Sequence, residues 1–195
     1  MEKQIWKIFP TLVHRVRQVL SPMQLALIKD YCQQVDGHKH ESLLGDAVST
    51  FEKNSRFIED LEAKFENLKG LKMGLSTLLE AYAIELGYKG AAISNSWFNI
   101  QRPGSILKHH THPDSLVSAA LCVYSDDQST SLHFENPNPL LAFLATEGRS
   151  EYNMEMAKFK LEPGDMVLFP SWLKHGSGFE ANESPLRIVI SLNTV

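Results

Sequence analysis

Six short runs of β-branched and aromatic residues fill the second half of the chain: NSWFNIQ (95–101), SLVSAALCVY (115–124), SLHF (131–134), MAKFKL (156–161), DMVLF (165–169) and LRIVISL (186–192). Gly, Pro, Asn and Asp punctuate them, so each run reads as a strand and each break as a turn. Strands at this density must stack or close on themselves to hide their edges, which points to a sandwich or a jelly-roll barrel. The first half follows another period. Ser21-Pro22 offers a capping hydroxyl and a proline at the first helical position, and Leu25, Ile28, Tyr31 and Cys32 then recur at helical spacing, which predicts a helix over 22–35. Residues 36–56 are polar and mixed, a loop with a short element. From Arg56 a leucine-rich stripe runs to Leu86, with Gly87 as a C-terminal cap and Gly70 and Gly74 as places where it could divide into two helices. The expected fold class is α+β: a double-stranded β-helix (jelly-roll, cupin-like barrel) with N-terminal helices packed on one sheet. A single domain is expected over 1–195, mainly helical in 1–90 and jelly-roll in 91–195. Residues 136–155 form the longest stretch without a strand pattern, either a lid or binding loop or a surface insertion.

The 195 residues suffice for one sizeable core, and a net charge of −4 with no long Lys/Arg cluster argues against a nucleic-acid partner. No apolar run approaches the ~20 residues that span a bilayer. The opening MEKQIWKIFP lacks the layout of a signal peptide. Cys32 and Cys122 both sit in apolar patterns, as buried thiols in a reducing compartment do. A cytoplasmic location is expected.

The segment LKHHTHPD (107–114) holds three of the chain's eight histidines. On a strand, side chains two apart share a face, so His110, His112 and Asp114 project together. Two imidazoles so placed can hold a metal ion if a third ligand arrives from elsewhere, and His175, in FPSWLKHGSG, sits where a strand ends. His38 and His40 repeat the H-x-H spacing in a polar segment with no strand pattern and read as solvated loop. His14 and His133 read as ordinary histidines, either satisfied or solvated. Arg187 opens the apolar strand RIVISLN twelve residues after His175. A guanidinium pointing into a barrel needs an anion, because burying it unpaired is costly. That anion is either a protein carboxylate or a bound one, held through two parallel hydrogen bonds.

Taken in order, Trp97 and Asn99, Gly104, His110-Thr111-His112-Pro113, Phe134 to Pro137, Gly164-Asp165, Phe169-Pro170-Ser171-Trp172 to His175, and Arg187 to Ser191 and Asn193 span half of the chain. This succession resembles the iron(II)- and 2-oxoglutarate-dependent oxygenases, most closely a phage and bacterial branch carrying H-x-H-P. The N-terminal Ile8-Phe9-Pro10-Thr11-Leu12-Val13 fits that branch too. The wider superfamily carries H-x-D, and here the resemblance leaves two registers. In the preferred one His110, His112 and His175 are the metal ligands; in the other, His112-Pro113-Asp114 supplies the histidine and the acid, giving the two-histidine, one-carboxylate triad. The first leaves an iron(II) site with charge +2, the second +1.

The resemblance implies Fe(II) and 2-oxoglutarate as cofactor and co-substrate, Arg187 on the far carboxylate of 2-oxoglutarate, and a hydroxylation of an unidentified prime substrate. Asn99, Ser191 and Asn193 could hydrogen-bond the co-substrate, and the Tyr124 hydroxyl could assist Arg187. Trp97, Phe98 and Trp172 read first as core, and Glu135 and Asp165 as turn or strand-end residues. Two other classes compete: a cupin-like metal-binding protein that does not use 2-oxoglutarate, and a non-catalytic jelly-roll binding module. A cation facing the pocket at Arg187 separates the first reading from the second, and bound metal separates both from the third.

Overall fold

Ser21 and Pro22 start the first helix as the sequence predicts. In α1 (Pro22–Gln34) the Gln24 N–H donates to Ser21 Oγ at 3.3 Å, and the Ser21 N–H donates back to Gln24 Oε1 at 3.0 Å. This reciprocal pair satisfies two N–H groups that a helix start otherwise leaves bare. The leucine-rich stripe divides into α2 (Phe57–Lys64), a 3-10 turn at Glu66–Leu68 and α3 (Leu71–Glu85). The break falls at Gly70, whose φ of +84° suits glycine; Gly74 lies inside α3. These facts come from a computed structural model, which describes residues 2–138, 140, 148, 150 and 152–195. Half of the 136–155 stretch read as a lid or insertion, at 139, 141–147, 149 and 151, lies outside the described residues.

All six β-rich runs form strands. Numbered along the chain, the strands are β1 (His14–Val16), β2 (Leu43–Leu44), β3 (Ala47–Ser49), β4 (Ile93–Gln101), β5 (Ile106–Leu107), β6 (Val117–Tyr124), β7 (Leu132–Glu135), β8 (Met156–Phe159), β9 (Met166–Pro170), β10 (His175–Gly176) and β11 (Arg187–Thr194). An antiparallel six-stranded sheet runs β1-β9-β6-β11-β4-β3, a second runs β10-β7-β8, and β2 pairs with β5. The segment read as loop, 36–56, thus contributes two short strands, one of them an edge of the large sheet. β1 is tied to β9 by an ion pair between Arg15 and Asp165 as well as by its ladder.

Period-two alternation along the large sheet produces two different faces. Phe98, Ile100, Leu121, Leu168, Ile188, Ile190 and Leu192 share one cluster with Ile28, Leu61, Leu75 and Leu79 of the three helices. Ala120, Cys122, Val167, Phe169 and Val189 face the other way and pack on Leu132 and Phe134 of the small sheet. The result is three layers, helices on sheet on sheet, with antiparallel pairing throughout both sheets. The helices bury the outer face, which leaves the inner face of β4 and β11 free to carry polar side chains. Cys32 and Cys122 are buried free thiols in different layers. Among the described residues no helix is long and apolar enough to cross a membrane.

Candidate metal centre

The segment carrying His110 and His112 is not the regular strand that its alternation suggests. Its main contact is a two-way backbone pairing with β10: the His110 N–H donates to the His175 carbonyl at 2.9 Å and the His175 N–H to the His110 carbonyl at 3.0 Å. The His112 N–H then donates to the Ser171 carbonyl at 3.0 Å. With both ends anchored, the two rings still fall on one side, as two-residue spacing requires. Ring centroids of His110, His112 and His175 lie 4.5–5.0 Å apart, and one nitrogen from each falls within 4.8 Å of the other two. His112 Nε2 and His175 Nε2 are 3.1 Å apart.

The outer nitrogens are held. His110 Nδ1 meets the Lys108 carbonyl and His175 Nδ1 the Leu173 carbonyl, both at 2.8 Å. A carbonyl accepts only, so both rings carry their proton on Nδ1 and turn a bare Nε2 inward. Burial disfavours the imidazolium form at all three rings: it lowers the pKa of His110, drives His112 down to about 3 and His175 well below 6.5. Each further histidine nearby pushes the same way. Asp114, the acid of the alternative register, is exposed, has φ +64° and lines the same cavity, but it is not in the converging group. Among the described residues that three-histidine set is the one place where three or more His, Cys, Asp or Glu ligand atoms converge.

The histidines line a cavity of about 660 Å³ that extends between the sheets to Arg187. Trp97, Asn99, Gln101, Arg187, Val189, Ser191 and Asn193 all line it because β4 and β11 pair in register, Arg187 opposite Gln101, Val189 opposite Asn99 and Ser191 opposite Trp97. Arg187 is 7% exposed and donates to Gln101 Oε1. No carboxylate among the described residues pairs with it. Burial lowers its pKa from the ordinary guanidinium value, yet a guanidinium stays charged in proteins. Gln101 Nε2 is buried beside it with no partner. The inner end of the cavity therefore holds an uncompensated cation and an orphaned N–H donor, an arrangement that asks for an anion with oxygen acceptors.

Tyr124 does not reach the cavity. Tyr124 pairs with Ile188 and Cys122 with Val189, leaving Val123 as an extra residue in β6. This bulge resets the alternation. Tyr124 then faces the helices, where the Lys29 ammonium lies 3.9 Å from its ring centroid. Asn193 is in the cavity lining, but its amide is engaged at both ends, by His112 and Ser118. Trp97 lines the cavity as well as packing, with its ring 5.7 Å from that of His112. His40, read as solvated, also lines the cavity, whereas its H-x-H neighbour His38 is tied to the Phe51 carbonyl at 3.0 Å. His133 is almost fully buried, 3.1 Å from Glu180, and His109 meets Glu135. Gln101 escaped sequence reasoning, although its two-residue step from Asn99 was enough to place it on the same face.

Residues 95–193, just over half of the chain, match the family described as “Putative 2OG-Fe(II) oxygenase”. The chain belongs to the 2OG-Fe(II) oxygenases. Solved structures agree on the fold. The epimerase SnoN from nogalamycin biosynthesis superposes with a TM-score of 0.62 at 14% identity, covering 95% of this chain and 78% of that one. HygX from Streptomyces hygroscopicus, with nickel and 2-oxoglutarate bound, gives 0.62 at 11%, covering 94% and 82%. A Pseudomonas putida prolyl-4-hydroxylase gives 0.57 at 14%, covering 94% and 92%. No curated protein sequence matches the chain.

2OG-Fe(II) oxygenases depend on Fe(II) and 2-oxoglutarate. The residues present fit both. Three neutral imidazoles, His175 buried and His110 and His112 half-buried, are ligands that suit Fe(II) among the divalent metals. The guanidinium with no carboxylate partner among the described residues and the unpartnered Gln101 N–H at the other end of the cavity suit a dicarboxylate.

Proposed function

We propose that the chain is a single-domain, cytoplasmic Fe(II)- and 2-oxoglutarate-dependent hydroxylase built on a double-stranded β-helix, with His110, His112 and His175 as metal ligands. The observation that carries this reading is the pairing of two unmet needs in one cavity: a converging imidazole group at one end and a buried, unpaired Arg187 at the other. When bound, iron(II) with 2-oxoglutarate supplies oxidative chemistry in which O₂ is consumed, 2-oxoglutarate yields succinate and CO₂, and a substrate C–H becomes C–OH.

The residues of the chain have separable tasks in this scheme. The carbonyls of Lys108 and Leu173 hold the His110 and His175 rings with Nε2 inward. Arg187 and Gln101 grip the distal carboxylate, Arg187 with charge and Gln101 with its free N–H. Ser191 and Asn99, on the same face, offer hydrogen bonds along the body of the co-substrate. Trp97 and Val189 keep that part of the cavity apolar, which excludes water and strengthens the Arg187 contact. The remaining space opens past Asp114, Glu41 and Lys53, where a small or peptide-sized prime substrate would enter.

Anaerobic titration of the purified protein with Fe²⁺ and then 2-oxoglutarate tests the reading, with the visible metal-to-ligand charge-transfer band as the signal. Wild type should bind both. Arg187→Ala should lose a charged hydrogen-bond partner worth about 1.5–3 kcal/mol, so 2-oxoglutarate affinity should fall on the order of 10- to 100-fold with Fe²⁺ affinity nearly unchanged. Equal co-substrate affinity in the variant would sink the assignment.

A further inference from the structure

Asn193 touches the histidine group without belonging to it. Asn193 Nδ2 lies 3.0 Å from His112 Nδ1, and its Oδ1 lies 2.7 Å from Ser118 Oγ. Behind Ser118 stands a row of hydroxyls: Ser118 Oγ to Ser171 Oγ at 2.7 Å, Ser171 Oγ to Ser115 Oγ at 3.0 Å, and Ser115 Oγ to the Thr194 carbonyl at 2.8 Å. Ser118 and Ser171 are almost fully sealed from solvent, and Asn193 is 7% exposed. Burial of Ser118 and Ser171 closes the middle of the row to solvent, so the protons shared along it can be counted.

With the amide as it stands, the Asn193 N–H donates to His112 Nδ1. The His112 proton then sits on Nε2 and points at His175 Nε2, 3.1 Å away, which is bare because His175 Nδ1–H is held by Leu173. The place where the inward nitrogens meet is filled by a proton. In this orientation the row has four contacts from Asn193 to Thr194 but only three hydroxyl protons, so one contact goes without. After half a turn of the amide, Asn193 donates to Ser118, and all four contacts hold a proton, each pointing toward Thr194. Oδ1 then faces His112, Nδ1 carries the proton, and Nε2 is bare. The two orientations trade one hydrogen bond, His112 to His175, for another within the row. The net charge is the same in both.

We infer that Asn193 is a positioning residue that selects the tautomer of His112, and that a half-turn of its amide, backed by Ser118, Ser171 and Ser115, readies the three histidines for a metal ion. The inference rests on His112 being a ligand, as proposed above. The partner of a ligand's second ring nitrogen commonly tunes metal affinity by 10- to 100-fold. Here that partner is reversible, whereas His110 and His175 are locked by carbonyls.

The test uses the full chain with ¹⁵N-labelled histidine, and Co²⁺ and Zn²⁺ as probes. Imidazole ¹⁵N shifts, assigned with His112→Ala, should report His112 as Nε2–H in metal-free wild type and as Nδ1–H after Zn²⁺. Asn193→Asp offers acceptors only, so His112 should be Nδ1–H with or without metal, and Co²⁺ should bind at least as tightly as to wild type. Asn193→Leu should weaken Co²⁺ binding by about 10- to 100-fold. One tautomer in wild type, Asp and Leu variants alike would overturn the inference, as would unchanged Co²⁺ affinity in Asn193→Leu. If Leu fails to fold, the Asp comparison still decides. If wild type binds no Co²⁺, the functional reading falls, while the metal-free tautomers still report on Asn193.

Discussion

At the scale of single residues, Gly176 shows how little slack the centre has. It follows His175 and lies against the segment that carries the other two histidines. A Cβ added there would stand 2.5 Å from His109 Cδ2, 2.7 Å from the Leu107 carbonyl and 2.8 Å from the Lys108 carbonyl. Two of these obstacles are backbone, and the Lys108 carbonyl is the group that holds His110. Gly176→Ala should therefore push β10 away from residues 107–110, at a cost of about 1–3 kcal/mol, and weaken Co²⁺ binding at least 10-fold. Gly90→Ala is the control, because the nearest atom its Cβ would meet is a flexible Glu80 oxygen at 3.7 Å. Urea denaturation and metal titration of both variants check this, and wild-type metal affinity in Gly176→Ala would count against the geometry. Residues of this kind divide by legibility. His110, His112, His175 and Arg187 stood out in the sequence because their side chains bear the chemistry and their spacing places them. The carbonyls of Lys108 and Leu173 have no letter of their own, since any residue supplies one. Tyr124 was expected to assist Arg187, and the bulge at Val123 that turns it toward the helices instead carries no mark in the sequence.

At the scale of elements, the site stands on β4 and β11, and these stand on the helices. Polar residues can occupy the inner face because the outer face buries Phe98, Ile100, Ile188, Ile190 and Leu192 against α1, α2 and α3. Leu79 of α3 is fully buried in that layer. Leu79→Ala should cost about 2–5 kcal/mol through lost burial and the cavity left behind. The folded fraction should still bind Co²⁺ as wild type does, because Leu79 does not line the cavity. A large drop in metal affinity with stability preserved would show that the helices shape the centre directly. The long strands were legible because each combines β-branched residues, alternation and a turn signal. β1, β2, β3, β5 and β10 are two or three residues long and carry no such pattern. They exist because a neighbour offers a ladder, as β9 does for β1, and sequence periodicity says nothing about that offer.

At the scale of the whole molecule, burying several neutral imidazoles ties folding to pH. An unfolded histidine titrates near 6.5, while burial lowers His110, His175 and His133 below that value and His112 to about 3. Between these limits the unfolded chain binds more protons than the folded one, so stability rises with pH there. Above pH 6.5 the histidines are neutral in both states and contribute no slope. Each buried neutral imidazole contributes up to about 1.4 kcal/mol per pH unit inside the window. The depressed carboxylates, Asp126, Glu135 and Glu180, have ordinary values of 3.8 to 4.5 and lose their contribution only at lower pH. Urea denaturation of the metal-free protein from pH 6.5 to 5 therefore isolates the histidines. Stability should fall steadily across that range, and His112→Ala should reduce the slope by about one proton. Saturating Co²⁺ should raise stability at every pH, by about 2.7 kcal/mol at 100 times its dissociation constant, because the ion binds only the folded arrangement. A flat profile from pH 6.5 to 5 would mean that the rings are protonated or solvated in the folded chain. A metal ion would then have to displace protons and water at a site that the fold had not prepared.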